Sequence, residues 1–290
     1  MKKEIKLLKL KLAGLTLMLT FSVQAGGPWL HEKGRGFVQA QVVWPAYSYS
    51  SLLMGDFIKD TQGVNRETFV ADFNFYVEYG ITDRLNAISS LPMKYIKTGG
   101  LTESLAHPNL LPEGDLFGLS NYRLELKYKL LDKKIKVATS LISAWNTISK
   151  DLDKGLATGY EGNAYGLMVH GGRSKEKHYG FVDAGYLFYT HGYSDALELK
   201  VEHGWKLKHH LTLAFAFEGR FSMSNGSKFN ANLAQTGASP NNQDWAYVGG
   251  KLFYERQNGL GFSLAVPMIP IRFKNVGYNG ALGIGAFKKF

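Results

Sequence analysis

The chain contains no cysteine, and this absence excludes two kinds of structure. None of its 290 residues is a cysteine, so disulfide bridges and metal centres built from thiolates are both ruled out. The histidines and carboxylates show no spacing typical of a metal site. We therefore expect the protein to hold neither a metal nor an organic cofactor.

Long apolar runs and helical periodicity are also missing. Beyond residue 25, no apolar run approaches the ~18 to 20 residues that a membrane-spanning helix requires, and no segment places apolar residues at helical spacing. The 33 glycines and the 13% of aromatic residues are typical of a β protein with many turns. The composition predicts an all-β fold with no helical domain.

The formal net charge is +10, but a compact basic patch is missing. Lys2, Lys3, Lys6, Lys9 and Lys11 supply much of the excess at the very start of the chain, and the other basic residues are spread along the sequence. Nucleic-acid binding requires a clustered basic surface. We therefore expect no nucleic-acid partner.

Residues 1–25 have the organisation of a secretory signal peptide. The basic start is followed by apolar residues 12–21 and by Val23-Gln24-Ala25, which fits a small-x-small cleavage site. An uncleaved anchoring helix is the alternative, but the apolar run is well short of the ~20 residues that it needs. We predict cleavage before Gly26, a polar lead-in over residues 26–35, and a single domain over residues 26–290.

The clearest pattern lies in residues 69–96, where two segments alternate between apolar and polar residues around a polar break at 80–84. On the first segment Phe73, Phe75 and Val77 share one face, and Asn74 and Glu78 share the other. Side chains of a strand point to opposite faces with period two. Each segment has about ten residues, the length that crosses a bilayer as a tilted strand.

The same alternation repeats along the chain, and connections of two lengths follow one another in turn. Short periplasmic turns and longer extracellular loops, here including residues 97–117 and 224–242, are typical of outer-membrane meanders. A soluble β-sandwich does not explain this alternation of loop length. We predict one transmembrane antiparallel barrel in the outer membrane, with both ends periplasmic and strands at about residues 37–51, 69–79, 85–96, 119–130, 135–148, 163–172, 179–189, 196–207, 211–223, 243–255, 260–266 and 276–290.

In such a barrel the apolar faces point to lipid and the charged faces point into the lumen. The mixed signs of the inward charges leave two hypotheses open, an ionic ladder that fills the lumen or a hydrated pore lined by both signs. The predicted lumen-lining residues are Asp72, Glu78, Lys94, Arg123, Glu125, Lys127, Lys129, Asp183, Glu198, Lys200, Glu202, Glu218, Arg220, Lys251 and Glu255.

Aromatic residues near the strand ends predict two interfacial girdles. The predicted outer girdle contains Trp44, Tyr47, Tyr49, Trp145, Tyr189, Tyr193 and Trp245. The predicted inner girdle contains Tyr79, Tyr128, Trp205 and Tyr254.

The end of the chain resembles that of bacterial outer-membrane barrels, whose last strand carries the insertion signal. Tyr278, Leu282, Ile284, Ala286 and Phe290 fall on one face of the last predicted strand. Lys288 occupies a position where such barrels prefer an apolar residue, and its side chain can snorkel to the headgroups. The resemblance implies outer-membrane lipids and the barrel-insertion machinery as partners.

More narrowly, the chain resembles the barrels called MetA-pathway-of-phenol-degradation transporters. The matching motifs are YGITDR at 79–84, LP at 91–92, GLS at 118–120, LKYKLL at 126–131 and the lead-in over 29–37. The resemblance implies a channel for small solutes, apolar or aromatic. A structural or adhesive barrel with a plugged lumen remains the alternative.

A lipid-modifying enzyme is the third hypothesis, and the sequence disfavours it. His191, Ser194 and Asp195 are too close in sequence for a catalytic triad of ordinary geometry, and no G-x-S-x-G motif is present. We therefore expect no catalytic residue. Asp151 and Asp153 raise a calcium site as a minor hypothesis.

Overall fold

A computed structural model describes residues 26–45, 49–50, 66–101, 111–230, 232–233, 241–265, 269–274 and 281–290. The predicted signal peptide, Tyr47 and Tyr278 lie outside these ranges. Within the described ranges, no helix is both long enough and apolar enough to cross a membrane.

Twelve antiparallel strands form a closed barrel, which confirms the predicted fold. Each strand pairs with its neighbours in sequence, and the first pairs with the last from Phe37↔Lys289 to Pro45↔Ala281. The strands are β1 (Gly36–Pro45), β2 (Arg66–Thr82), β3 (Leu85–Leu101), β4 (Tyr122–Asp132), β5 (Lys136–Trp145), β6 (Ala164–Ser174), β7 (His178–Tyr189), β8 (Ala196–Lys206), β9 (Leu211–Ser222), β10 (Asp244–Glu255), β11 (Leu260–Ala265) and β12 (Ala281–Lys289).

Three further described segments extend the wall at the end that carries the long loops, and one of them, Tyr49–Ser50, pairs with β2. Gly114–Leu119 pairs with β3 beyond the start of β4, and Ile269–Lys274 pairs with β10 beyond the end of β11. The prediction of a loop over 97–117 is therefore wrong in part, since β3 also continues to Leu101. Here the backbone pairing of the wall extends beyond the residues that alternate regularly between apolar and polar side chains.

The connections separate into two classes at the two ends of the barrel. The short turns are residues 83–84, 133–135, 175–177, 207–210 and 256–259. The longer connections include residues 146–163, 190–195 and 223–243. The barrel closes at the short-turn end, where the Gly36 and Phe290 backbones exchange hydrogen bonds of 2.9 and 3.0 Å.

The outer surface of the barrel is an apolar belt. Side chains that point outward alternate with buried polar ones along the strands, as period two requires. Exposed apolar side chains on so many neighbouring strands are typical of a surface that faces lipid rather than water. Examples from strands around the barrel are Phe75, Leu126, Leu141, Leu167, Phe188, Val201, Phe215, Phe262 and Ile284.

The aromatic girdles agree with the structure at one end and differ for three residues at the other. Tyr79, Tyr128, Trp205 and Tyr254 are exposed near the short turns. The assignment of Tyr189, Tyr193 and Trp245 to an outer girdle is wrong. Tyr193 is buried, whereas Tyr189 and Trp245 face inward beside Arg220, because cation–π contact and strand register place them there.

Candidate functional site

The charged faces of the strands meet inside the barrel. Arg123 on β4 places Nη1 3.1 Å from Oε2 of Glu198 on β8. Because β4 and β8 are not neighbours in the barrel, this contact crosses the lumen. Arg220 on β9 places Nη1 3.9 Å from Oε1 of the same carboxylate, so Glu198 lies between two guanidinium groups.

A second cluster lies around Lys251 on β10. Its Nζ is 3.0 Å from Glu218 Oε1 and 3.2 Å from Glu202 Oε2. Lys200 Nζ is 3.7 Å from Glu218 Oε1, and the Tyr179 hydroxyl donates to Glu202 Oε1 at 2.9 Å. Two carboxylates and two ammonium groups thus balance one another.

A third cluster contains the most deeply buried lysine. The Lys127 side chain is 2% exposed, and its Nζ lies 3.9 Å from Glu78 Oε1. The Tyr76 hydroxyl donates to the Glu78 carboxylate, and His31 Nε2 lies 3.3 Å from Glu78 Oε2. Glu78 is also buried, so its charge depends on these partners.

In a fourth cluster, a serine contacts a histidine, and the histidine contacts an aspartate. Ser140 Oγ is 2.7 Å from His170 Nε2, and His170 Nδ1 is 2.9 Å from Asp183 Oδ1. The Ser140 hydroxyl, however, donates its proton to Glu125 Oε1 at 2.6 Å. Since a hydroxyl has one proton, His170 Nε2 must donate to Ser140 rather than accept from it. The arrangement therefore lacks the base-to-nucleophile hydrogen bond of a hydrolase.

Every predicted lumen residue lies within 4.0 Å of an ionisable side chain, which is an oppositely charged group for all of them except Asp183, whose neighbour is the His170 imidazole. At the long-loop end Lys94 pairs with Asp72 at 3.6 Å, and at the short-turn end Lys129 pairs with Asp132 at 3.1 Å. The set as a whole comprises Asp72, Glu78, Lys94, Arg123, Glu125, Lys127, Lys129, Asp183, Glu198, Lys200, Glu202, Glu218, Arg220, Lys251 and Glu255.

The lead-in segment also lies inside the barrel, which the sequence did not indicate. The Gly27 amide donates to Asp183 Oδ2 at 3.0 Å, and its carbonyl accepts from Lys127 Nζ at 3.2 Å. The Trp29 ring contacts the rings of Tyr179 and Phe181 edge-on, with centroids 6.1 and 5.6 Å away. Backbone groups make the Gly27 contacts, so no pattern of side chains could reveal them.

At the opposite end, two loops fold inward over the lumen. Leu156 and Ala157 from one loop and Leu233 from another pack against Ile96 of β3 and are almost fully buried. Glu161 joins the same two loops, since its carboxylate lies 2.8 Å from Lys150 Nζ and 2.7 Å from Lys228 Nζ. Hydrogen bonds from these lysines lower the pKa of Glu161.

The minor sites considered from the sequence do not assemble in the described residues. Ser194 Oγ accepts from the Gly226 amide at 2.8 Å, whereas His191 Nδ1 lies 2.8 Å from Thr190 Oγ1. The Asp151 carboxylate contacts the Lys154 backbone amide and ammonium group, each at 3.2 Å. No described group of three or more histidine and carboxylate side chains could hold a metal ion.

The last strand presents Leu282, Ile284 and Ala286 on its outward face. Phe290 is also exposed. The Lys288 ammonium donates to the Asn258 carbonyl in the neighbouring turn. The last strand thus has an apolar outward face that ends in a hydrogen-bonded lysine.

Solved structures that are similar to this chain include outer-membrane proteins. A COG4313 outer membrane channel from Pseudomonas putida F1 is 13% identical, with a TM-score of 0.65 over 93% of this chain and 100% of that one. The β domain of the Bordetella autotransporter BrkA is 11% identical, with a TM-score of 0.48 over 89% of this chain and 100% of that one. The Ralstonia pickettii toluene transporter TbuX is 12% identical, with a TM-score of 0.41 over 90% of each chain.

No protein-family model matches the chain, and no curated protein matches it. The similarity to the P. putida channel at this low identity shows the barrel fold. The narrower resemblance to the phenol-degradation barrels rests on the short motifs alone.

Proposed function

We propose that the protein is an outer-membrane channel for small solutes. The observation that carries the proposal is a closed twelve-stranded barrel with an apolar outer belt and charged side chains across its lumen. Such a surface is stable in lipid, and such an interior can hold a hydrated path. In this proposal the signal peptide is removed, the insertion machinery folds the barrel, and both ends lie in the periplasm.

The proposed solute class is small and apolar or aromatic. The motif resemblance to the phenol-degradation barrels is the argument for this solute class. The shared fold with a protein described as an outer membrane channel supports the channel itself and not the choice of solute. Because the lumen carries balanced charge, we expect little preference between cations and anions.

A plugged structural barrel is the second candidate, and one observation favours it. Gly27 and Trp29 occupy the lumen near one end, and Leu156 and Leu233 cover it near the other. Passage of a solute would then require one or both of these coverings to move.

Single-channel recording in planar bilayers separates the two candidates. The channel proposal predicts stepwise conductance, with a shift toward anion selectivity in Glu198→Gln. That change removes the carboxylate that lies between Arg123 and Arg220, and it leaves Arg123 with only the more distant Glu125 at 3.9 Å. Asp132→Asn is the matched control, since this carboxylate pairs with lysines at an exposed turn. Absence of conductance, together with no faster solute uptake into liposomes, would favour the structural barrel.

A further inference from the structure

Residues 26–31 occupy a binding site that is formed by side chains from several strands of the barrel wall. Asp183 on β7 accepts the Gly27 amide, and Lys127 on β4 donates to the Gly27 carbonyl. Both charged side chains are almost fully buried at this contact. The wall thus recognises both polar groups of one backbone unit.

Side chains of residues 26–31 make further contacts with the wall. The Trp29 ring packs edge-on against Tyr179 and Phe181, two inward-facing aromatic residues of β7. The His31 imidazole lies 3.3 Å from the Glu78 carboxylate of β2. Trp29 also packs against the buried cluster of Tyr179, Phe181 and Ala214, and we treat it as the anchor of the segment.

The next residues fix the segment to the rim of the barrel. The Gly34 amide donates to the Gly80 carbonyl, the Gly80 amide donates to the Arg35 carbonyl, each at 2.9 Å, and the Lys33 amide donates to Asp83 at 3.0 Å. Six extended residues span about 20 Å. Residues 26–31 can therefore leave the lumen while this rim attachment and β1 stay in place.

We propose that residues 26–31 are a removable plug that closes the lumen at the short-turn end. The Gly27 contacts use neutral backbone groups against charged wall residues, and water can replace a neutral partner on both. No disulfide can tie the segment to the wall, because the chain has no cysteine, and only one of its side chains, His31, is ionisable. Closure thus depends on a small set of contacts that can break together.

The absence of cysteine in the native chain allows a direct test by thiol labelling. Ser140→Cys places one thiol in the lumen at a position that is 1% exposed. We compare its reaction with a charged methanethiosulfonate in three backgrounds: unchanged, Trp29→Ala, and deletion of residues 26–31. The proposal expects labelling at least tenfold faster in both altered backgrounds. Trp205→Ala removes an exposed tryptophan from the outer surface and should leave the rate unchanged.

Equal labelling rates in all folded variants would overturn the plug, with folding judged by heat-modifiable gel mobility. Where the deletion fails to fold, Trp29→Ala alone decides. Conductance is a second readout that rests on the proposed channel function, and it should rise in both plug variants. Faster labelling without added conductance would support the plug and count against solute passage.

Discussion

Lys251 shows how single residues hold the lumen together. Its ammonium group lies between the carboxylates of Glu202 and Glu218, and the Glu202 side chain is only 4% exposed. Taking such charges out of water is costly, and the attraction between partners offsets that cost only while all of them remain. A single change at Lys251 therefore leaves two carboxylates poorly neutralised.

We predict that Lys251→Met lowers the free energy of unfolding by about 3 to 5 kcal/mol, the cost expected when one partner of a buried pair is removed. Chemical denaturation of the refolded barrel in detergent measures the effect. Lys129→Met is the matched control, because Lys129 pairs with Asp132 beside an exposed turn. Such an exposed pair contributes about 0.2 to 1 kcal/mol. Equal losses in the two variants would contradict the buried role of Lys251.

Among the elements, strands were predictable where lipid and lumen impose opposite demands on neighbouring residues. On β4 the exposed residues Leu126 and Tyr128 alternate with the buried residues Glu125 and Lys127. Period two follows directly from that geometry. The observed bounds of β4 nevertheless differ from the predicted ones by a few residues. The hydrogen bonds that define a strand do not end where the apolar pattern ends.

Other elements left too short a pattern in the sequence. Gly114–Leu119 and Ile269–Lys274 have six residues each, and the second alternates only over that length and contains Pro270, which argues against a strand. The lead-in is held through the Gly27 backbone, and backbone contacts have no residue signature. The Ser140–His170 contact joins strands at positions that only the register reveals. Strand register, which the residue pattern does not specify, therefore determines which of the predicted inward charges meet.

Two loops at the same end of the barrel form an element whose stability should depend on pH. Glu161 bridges Lys150 and Lys228, and its pKa in the folded protein is lowered by hydrogen bonds from both. The bridge therefore stabilises the fold above the ordinary glutamate pKa of about 4.3. This stabilisation is lost as the pH falls through the lowered value of the folded state.

We predict that residues 146–163 lose protection from hydrogen exchange as the pH falls from about 6 to about 3, across the ordinary glutamate range. Exchange rates corrected for their intrinsic pH dependence provide the measurement. Glu161→Gln should show the low protection already at neutral pH and no further pH-dependent step. Wild-type protection in Glu161→Gln at neutral pH would show that the bridge does not hold the loops.

The whole molecule has two unlike ends, and this asymmetry predicts its orientation in the membrane. The turns at one end are short, and the connections at the other include residues 146–163 and 223–243. In outer-membrane barrels the short turns are periplasmic and the longer loops are extracellular. The lead-in segment with Gly27 and Trp29 would then fill the periplasmic half of the lumen.

Single cysteines in intact cells test this orientation, because the native chain contributes no thiol. Asp153→Cys lies in a long loop and Lys133→Cys in a short turn, and both native side chains are exposed. A membrane-impermeant maleimide should label Asp153→Cys in intact cells, and Lys133→Cys only after the outer membrane is permeabilised. Labelling in the opposite order would reverse the orientation and place the plug at the cell surface.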